Sequence, residues 1–246
     1  MIQPTDLHGA TGAGVRVALI DSGVNAGHSH VGSLAGGVGF SLTASGEVQQ
    51  TPDYEDRLGH GTALAGVLRA KAPQVELYAV KIFADRLAAS IDVLNTALRW
   101  AIAQQMRIIN LSLGTANPQH RERLIATVAQ ANATGSILVA SSPPEQADVL
   151  PAALPGVIGV AGDERCGWAD YLYVEDDPIS FRAHPCPRPL PGPAQARNFR
   201  GHSFASAHVS ALLALVVEKY PRLTVQEARE FLLTYTETAP FLSEYK

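Results

Sequence analysis

A chain of 246 residues, 46% hydrophobic and 17% charged, has the size of one large domain with a substantial core. An α/β domain of this length buries about three-quarters of its unfolded surface and needs no disulfide staples. The formal net charge of −4 leaves no polycationic footprint, so neither nucleic acid nor an anionic membrane is an expected partner.

Residues 1–10 carry no basic n-region and no apolar h-region. No apolar run is long enough to span a bilayer, so a cytoplasmic location is expected. Residues 15–20 form an apolar run rich in β-branched side chains that stops at Asp21-Ser-Gly, a turn signal, and they predict a buried strand. The small apolar residues of 61–70 predict a helix, and 77–83 a second strand. Ile91, Leu94, Leu98 and Ala101 recur at helical spacing and predict a helix over 91–105, followed by a strand over 107–112. Leu124, Ile125, Val128 and Ala131 predict a helix over 121–134 that stops at Gly135. Strands over 136–140 and 155–161 come next, then a strongly apolar helix over 203–220 and an amphipathic one over 224–234.

This alternation implies βαβ units and an α/β fold with a mainly parallel central sheet covered by helices, in a single domain over 1–246. The stretch 166–200 breaks the rhythm. It is dense in proline (Pro178, Pro185, Pro187, Pro189, Pro191, Pro193) and reads as a long surface excursion. It contains Cys166 and Cys186, too few for a disulfide framework and not spaced as a zinc pair. Free thiols are expected, with a bond between them left open.

Three short segments carry candidate chemistry. In parallel α/β sheets, reactive groups collect at the carboxyl ends of strands. Asp21 ends the first strand, His60 lies in Gly-His-Gly-Thr at a helix start, and Ser203 lies in Gly201-His-Ser-Phe-Ala-Ser at the start of the long apolar helix. Singly each has an ordinary explanation: a turn residue or cap, a tight turn, an N-cap. Together, in the order Asp, His, Ser, they match one arrangement for nucleophilic catalysis.

The local sequences resemble the subtilisin-like serine proteases. Thr11-Gly-Ala-Gly-Val-Arg-Val-Ala-Leu-Ile-Asp21-Ser-Gly-Val resembles that family's aspartate strand. Asp56-Arg-Leu-Gly-His60-Gly-Thr-Ala-Leu-Ala-Gly66 resembles its histidine motif, and Gly201-His-Ser203-Phe-Ala-Ser-Ala-His-Val209 its serine motif. The likeness runs from about His8 to Leu215 and fades in the proline-rich excursion. It implies a three-layer subtilisin-like fold and a serine endopeptidase with Asp21, His60 and Ser203 as its triad. His60 would take the Ser203 proton and pass it to the leaving amine, while Asp21 fixes the imidazole tautomer. The resemblance also implies an extended peptide or protein substrate lying between Ser112, Leu113 and Gly114 on one side and Ala88 and Ala89 on the other. No cofactor and no metal are expected.

The chain departs from the family pattern in several places. Where the family reads Ala-Gly-Asn, this chain reads Ala140-Ser-Ser-Pro-Pro-Glu-Gln146, and an ungapped match puts Pro144 at the position of the oxyanion-binding Asn. Proline has no donor there. Loss of one such donor in subtilisin costs on the order of 100- to 1000-fold in turnover. Ser141, Ser142 and Gln146 are candidate replacements. His202 stands where the family has Thr and is open to two readings, a contact to the oxyanion or leaving group and a solvent-facing spacer. His208 matches a structural histidine. The turn after the histidine helix leaves no room for the family's calcium loop, and the acidic groups 53–56 and 175–177 read as solvated turns.

Two functions follow. One is a narrow-specificity endopeptidase maturing peptides or precursors inside the cell. The other is a catalytically weak or inactive domain that binds peptides as a scaffold. A partner protein that completes or regulates the site is compatible with both. A nucleotide-binding α/β protein is disfavoured, because neither a placed G-x-G-x-x-G turn nor a phosphate-binding G-x-x-x-x-G-K-[ST] loop occurs.

Overall fold

The computed structural model describes residues 2–146, 148–175, 177 and 179–236. Asp176 of the second acidic group, Pro178 of the proline series, and the ends of the expected domain span (Met1 and 237–246) lie outside the described residues.

One nine-stranded sheet organises the chain. Its strands are β1 (Arg16–Asp21), β2 (Gly36–Leu42), β3 (Val48–Thr51), β4 (Glu76–Lys81), β5 (Ile108–Leu111), β6 (Ile137–Ser141), β7 (Val157–Gly162), β8 (Tyr171–Tyr173) and β9 (Phe181–Ala183). They lie in the order β3-β2-β4-β1-β5-β6-β7-β9-β8. All neighbours pair parallel except the two edge pairs, β2–β3 and β8–β9. Helices α1 (His60–Lys71), α2 (Ile91–Ala103), α3 (Arg121–Ala133), α4 (His202–Lys219) and α5 (Val225–Thr234) cover both faces. The result is the expected three-layer α/β architecture.

Strand periodicity sorts the core into two layers. Val17 and Leu19 of β1 pack with α1, α4 and α5, while Ala18 and Ile20 pack with α2 and α3. The central strands are thus apolar on both faces, as parallel strands under helices must be. α4 is buried around nearly its whole circumference, from Phe204 to Val217, which explains why its sequence is apolar without a polar stripe. Its far end is tied down by Glu218, whose Oε2 accepts the backbone N–H groups of Thr11 (2.7 Å), Gly12 (2.6 Å) and Ala13 (3.2 Å). Among the described residues, no helix is long and apolar enough to cross a membrane.

Two regions differ from the sequence expectation. The hairpin of β2 and β3 has no signal in the sequence, because its first strand begins Gly-Gly-Val-Gly and has little alternation. The stretch 166–200 is only partly a surface excursion. Its first half forms β8 and β9 at the sheet edge and buries Cys166, Tyr171, Phe181 and Ala183; residues 191–197 are exposed. Strands of three residues are too short for a period-two pattern to register, and packing of Phe181 against the sheet sets them instead.

The register brings the carboxyl ends of the central strands to one edge. Asp21 pairs with Lys81, Ile20 with Leu111, Leu111 with Ala140, and Ser141 with Val160. α1 and α4 both begin at that edge.

Candidate active site

Asp21 is fully buried at the end of β1. Its Oδ1 accepts the Ser22 backbone N–H at 2.7 Å and the Ser22 hydroxyl at 3.1 Å, and lies 2.7 Å from His60 Nδ1. An oxygen that already accepts from an amide makes Nδ1 the donor, which leaves His60 Nε2 as the free basic nitrogen. Burial, the largest single effect on this imidazole, pushes its pKa down. The hydrogen bond and charge of Asp21, with the charge of Asp56, outweigh it, and the net shift is upward. Asp21 Oδ2 is buried without a hydrogen-bond partner among the described residues.

The Gly-His-Gly motif is shaped by close approach and by capping. A Cβ on Gly61 would sit 2.1 Å from the Gly23 carbonyl oxygen, so only glycine lets α1 begin against β1. The N-cap residue Gly59 has no side chain to cap with, and Asp56 takes that role. Its Oδ1 accepts from Leu58 and Gly59 N–H (both 2.9 Å), and its Oδ2 from Thr62 N–H (2.9 Å) and hydroxyl (2.6 Å). Its neighbour Asp53 pairs with Lys81 at 3.0 Å. The first acidic group therefore supports the site structurally. No three His, Cys, Asp or Glu side chains converge as a metal site requires among the described residues.

Ser203 lies in the first turn of α4 beside the start of α1. The ring of the next residue, Phe204, has its centroid 5.5 Å from that of His60, and Phe199 packs edge-on to His60 at 5.9 Å. The Ser203 hydroxyl does not bond His60; it donates to the Ser112 carbonyl at 3.3 Å. A polar network absent from the sequence expectation holds this junction. Asn110 Nδ2 donates to Ser112 Oγ (3.1 Å), Ser112 Oγ donates to the Ser203 carbonyl (3.3 Å), and Ser206 Oγ donates to the same carbonyl (2.8 Å). Ser210 Oγ donates to Asn110 Oδ1 (2.9 Å). The signal that could have found it is an Asn inside the otherwise apolar run Ile-Ile-Asn-Leu of β5.

The other candidate residues are spread along the same edge. Ser112 is buried just after β5, with Leu113 half-buried and Gly114 exposed; Ala88 and Ala89 are exposed on the loop between β4 and α2. Ser141 is buried as the last residue of β6. The Ser142 hydroxyl donates within its own loop, to the Pro143 and Gln146 carbonyls (both 3.2 Å), and Gln146 is exposed. His202 is half-buried, and its Nδ1 accepts the Gly162 N–H at 3.0 Å.

Behind this edge, buried groups meet between α1 and α4. Lys71 is 6% exposed, with Nζ 5.7 Å from the Trp168 ring centroid. Burial lowers its pKa from 10.5 to about 7 against the opposing charge of Asp170. His208 donates from Nε2 to the Cys186 carbonyl at 3.0 Å, and its Nδ1 has no partner among the described residues. Burial, then the charge of Lys71, holds its pKa well below the ordinary value. Cys166 and Cys186 are free thiols.

Comparison with known proteins gives a consistent result. A family model described as the subtilase family matches residues 12–165 and 186–244, so the break falls on the stretch carrying β8 and β9. Subtilisin DY of Bacillus licheniformis is 31% identical over 241 residues, covering 91% of this chain and 84% of that protein. A thermostable alkaline protease of Halalkalibacterium halodurans is 30% identical, covering 95% of this chain and 64% of the relative. Subtilisin E of Bacillus subtilis is 28% identical, covering 91% and 61%. The chain thus spans somewhat less than two-thirds of the length of the last two. Among solved structures, a cold adapted subtilisin-like serine proteinase aligns with a TM-score of 0.68 at 18% identity, covering 94% of this chain and 85% of that one. A lanthipeptide protease aligns with a TM-score of 0.67 at 20% identity, covering 89% and 79%. Both share the fold.

Proposed function

The chain belongs to the subtilase family of subtilisin-like serine proteases, and from that premise we propose that it is a serine endopeptidase acting through Asp21, His60 and Ser203. The observation that carries the reading is the 2.7 Å contact between His60 Nδ1 and Asp21 Oδ1, which leaves Nε2 basic on the helix that packs beside the start of α4. In the proposed reaction Nε2 takes the Ser203 proton as Oγ attacks the scissile carbonyl. The tetrahedral adduct collapses as His60 returns that proton to the leaving amine, and water then repeats the sequence on the acyl-enzyme.

The substrate prepares the nucleophile in this reading. The Ser112 carbonyl accepts from Ser203 Oγ at 3.3 Å. A peptide pairing as an added strand along Ser112, Leu113 and Gly114, with Ala88 and Ala89 opposite, would offer that carbonyl a backbone N–H instead. The Ser203 hydroxyl is then released to turn toward His60. Narrow scope and maturation of peptides or precursors inside the cell belong to the same proposal. Two free cysteines, one of them buried, fit a reducing compartment.

A second reading, a peptide-binding module with little or no turnover, draws on the same Ser203–Ser112 bond and on a loop whose Ser142 hydroxyl turns inward. The two are separated by incubating the protein with a peptide library and reading new termini by mass spectrometry. The protease reading expects cuts at a small set of sites, lost in Ser203→Ala. Cuts throughout the library would overturn narrow scope. Peptide retention without any cut would favour the binding module.

A further inference from the structure

We propose that His202 supplies the second oxyanion donor of this site, through its Nε2–H, in place of the side-chain amide that Pro144 removes. This rests on the reading of Ser203 as nucleophile.

The proton position follows from one contact. His202 Nδ1 lies 3.0 Å from the Gly162 backbone nitrogen, and a backbone N–H can only donate. Nδ1 is therefore the acceptor, and in the neutral ring the single proton sits on Nε2. Burial, the leading effect, lowers the His202 pKa, the charge of Arg182 acts the same way, and Glu145 opposes them; the net shift is downward. The ring is therefore neutral at neutral pH, and a neutral imidazole can polarise an oxygen without surrendering its proton. Among the described residues, Nδ1 is the ring nitrogen of His202 that makes a hydrogen bond, and Nε2 has none.

Position and elimination point the same way. His202 is the first residue of α4 and adjoins Ser203, whose own N–H lies in the first turn, where amides have no acceptor one helical turn back. Its ring is anchored on the end of β7 next to the loop leaving β6, since the Ser142 N–H bonds the Val160 carbonyl at 3.1 Å. That loop carries the position where an amide donor would be expected. In that loop Pro144 has no N–H and the Ser142 hydroxyl donates to loop carbonyls, while Ser141 is buried at the strand end and Gln146 is exposed. The adjacent imidazole offers an N–H without a hydrogen-bond partner among the described residues, on a ring fixed in place by Gly162. It forms a hydrogen bond to the tetrahedral oxyanion and transfers no proton.

The test compares wild type with His202→Phe, which keeps a ring and removes the donor, and His202→Gln, which restores an N–H. Readouts are the second-order rate of fluorophosphonate labelling, kcat and KM on a cleaved peptide, and the thermal midpoint. The expected result is a fall of about 100- to 1000-fold in labelling rate and kcat for His202→Phe, with KM little changed, and recovery of most of that loss in His202→Gln at a similar thermal midpoint. Equal labelling of wild type and His202→Phe would overturn the proposal, as would a Gln variant as slow as the Phe variant. A wild type that does not label brings down the reading of Ser203 and this one with it.

Discussion

Asp21 and His60 are 0% and 6% exposed and share a 2.7 Å contact, with Ser22 and Asp56 bracing them from either side. Along the same edge of the sheet, the loop 142–146 leaves Glu145 and Gln146 in solvent and turns the Ser142 hydroxyl onto its own carbonyls. The first region is organised around a proton acceptor. The second is organised around itself. Proton transfer and oxyanion stabilisation are separable contributions to acyl transfer, and in this chain they have been treated differently. The segments around Asp21 and His60 keep their resemblance to the family's motifs, and the loop where that pattern places an amide donor does not.

The comparison can be broken first at the proposed nucleophile and base. Ser203→Ala and His60→Ala are each expected to lower kcat on a cleaved peptide by on the order of a million-fold, by analogy with the unit behaviour of a triad. A loss below a hundredfold in either would mean that the pair does not act together. Next in size is Asp21→Asn. Its amide changes which nitrogen of His60 carries the proton, and a loss of about ten-thousand-fold is expected, measured as kcat/KM across pH. Retention of more than a tenth of the activity would remove Asp21 from the mechanism.

Two further changes probe the support behind the edge through stability. Lys71 is buried, with Nζ over the Trp168 ring, and burial lowers its pKa from 10.5 to about 7. Below pH 7 both the folded and unfolded chains carry the proton, so the folded state bears the full cost of burial. Between pH 7 and 10.5 the folded state is neutral and that cost shrinks; above 10.5 it is gone. Lys71→Met is therefore expected to stabilise the fold by a few kcal/mol, of the order that burying one ion costs. In urea unfolding the gain should be largest below pH 7 and vanish near pH 10.5. A gain independent of pH would show that charge is not its cause. The smallest expected effect is that of Asn110→Ala, which removes the donor to Ser112 Oγ and the acceptor of the Ser210 hydroxyl. A loss of about 1–3 kcal/mol is expected from urea unfolding, and no loss would mean the network does not hold the junction.

Much of the fold was legible because its central strands and helices carry strong periodic signals. β1, β4, β5, β6 and β7 are apolar runs ending at turns, and α2 and α5 have clear amphipathic faces. β2 with its early glycines, and β8 and β9 with three residues each, carry no such period; the first long-range packing partner decides them. The site divides in a similar way. Asp21, His60 and Ser203 announce themselves through short local motifs. Asn110, Ser206 and Ser210 form one network across residues about a hundred positions apart, and only the isolated Asn in β5 hints at it. His202 is open to two readings in the sequence, because the Gly162 contact that fixes its tautomer comes from a distant strand.

The central claim is that Ser203 is an activated nucleophile, and intact-mass analysis after fluorophosphonate treatment tests it most directly. One adduct on the wild-type chain, absent from Ser203→Ala and from His60→Ala, is the predicted result. An unmodified wild-type mass at high probe concentration, or an adduct that persists in Ser203→Ala, would contradict it.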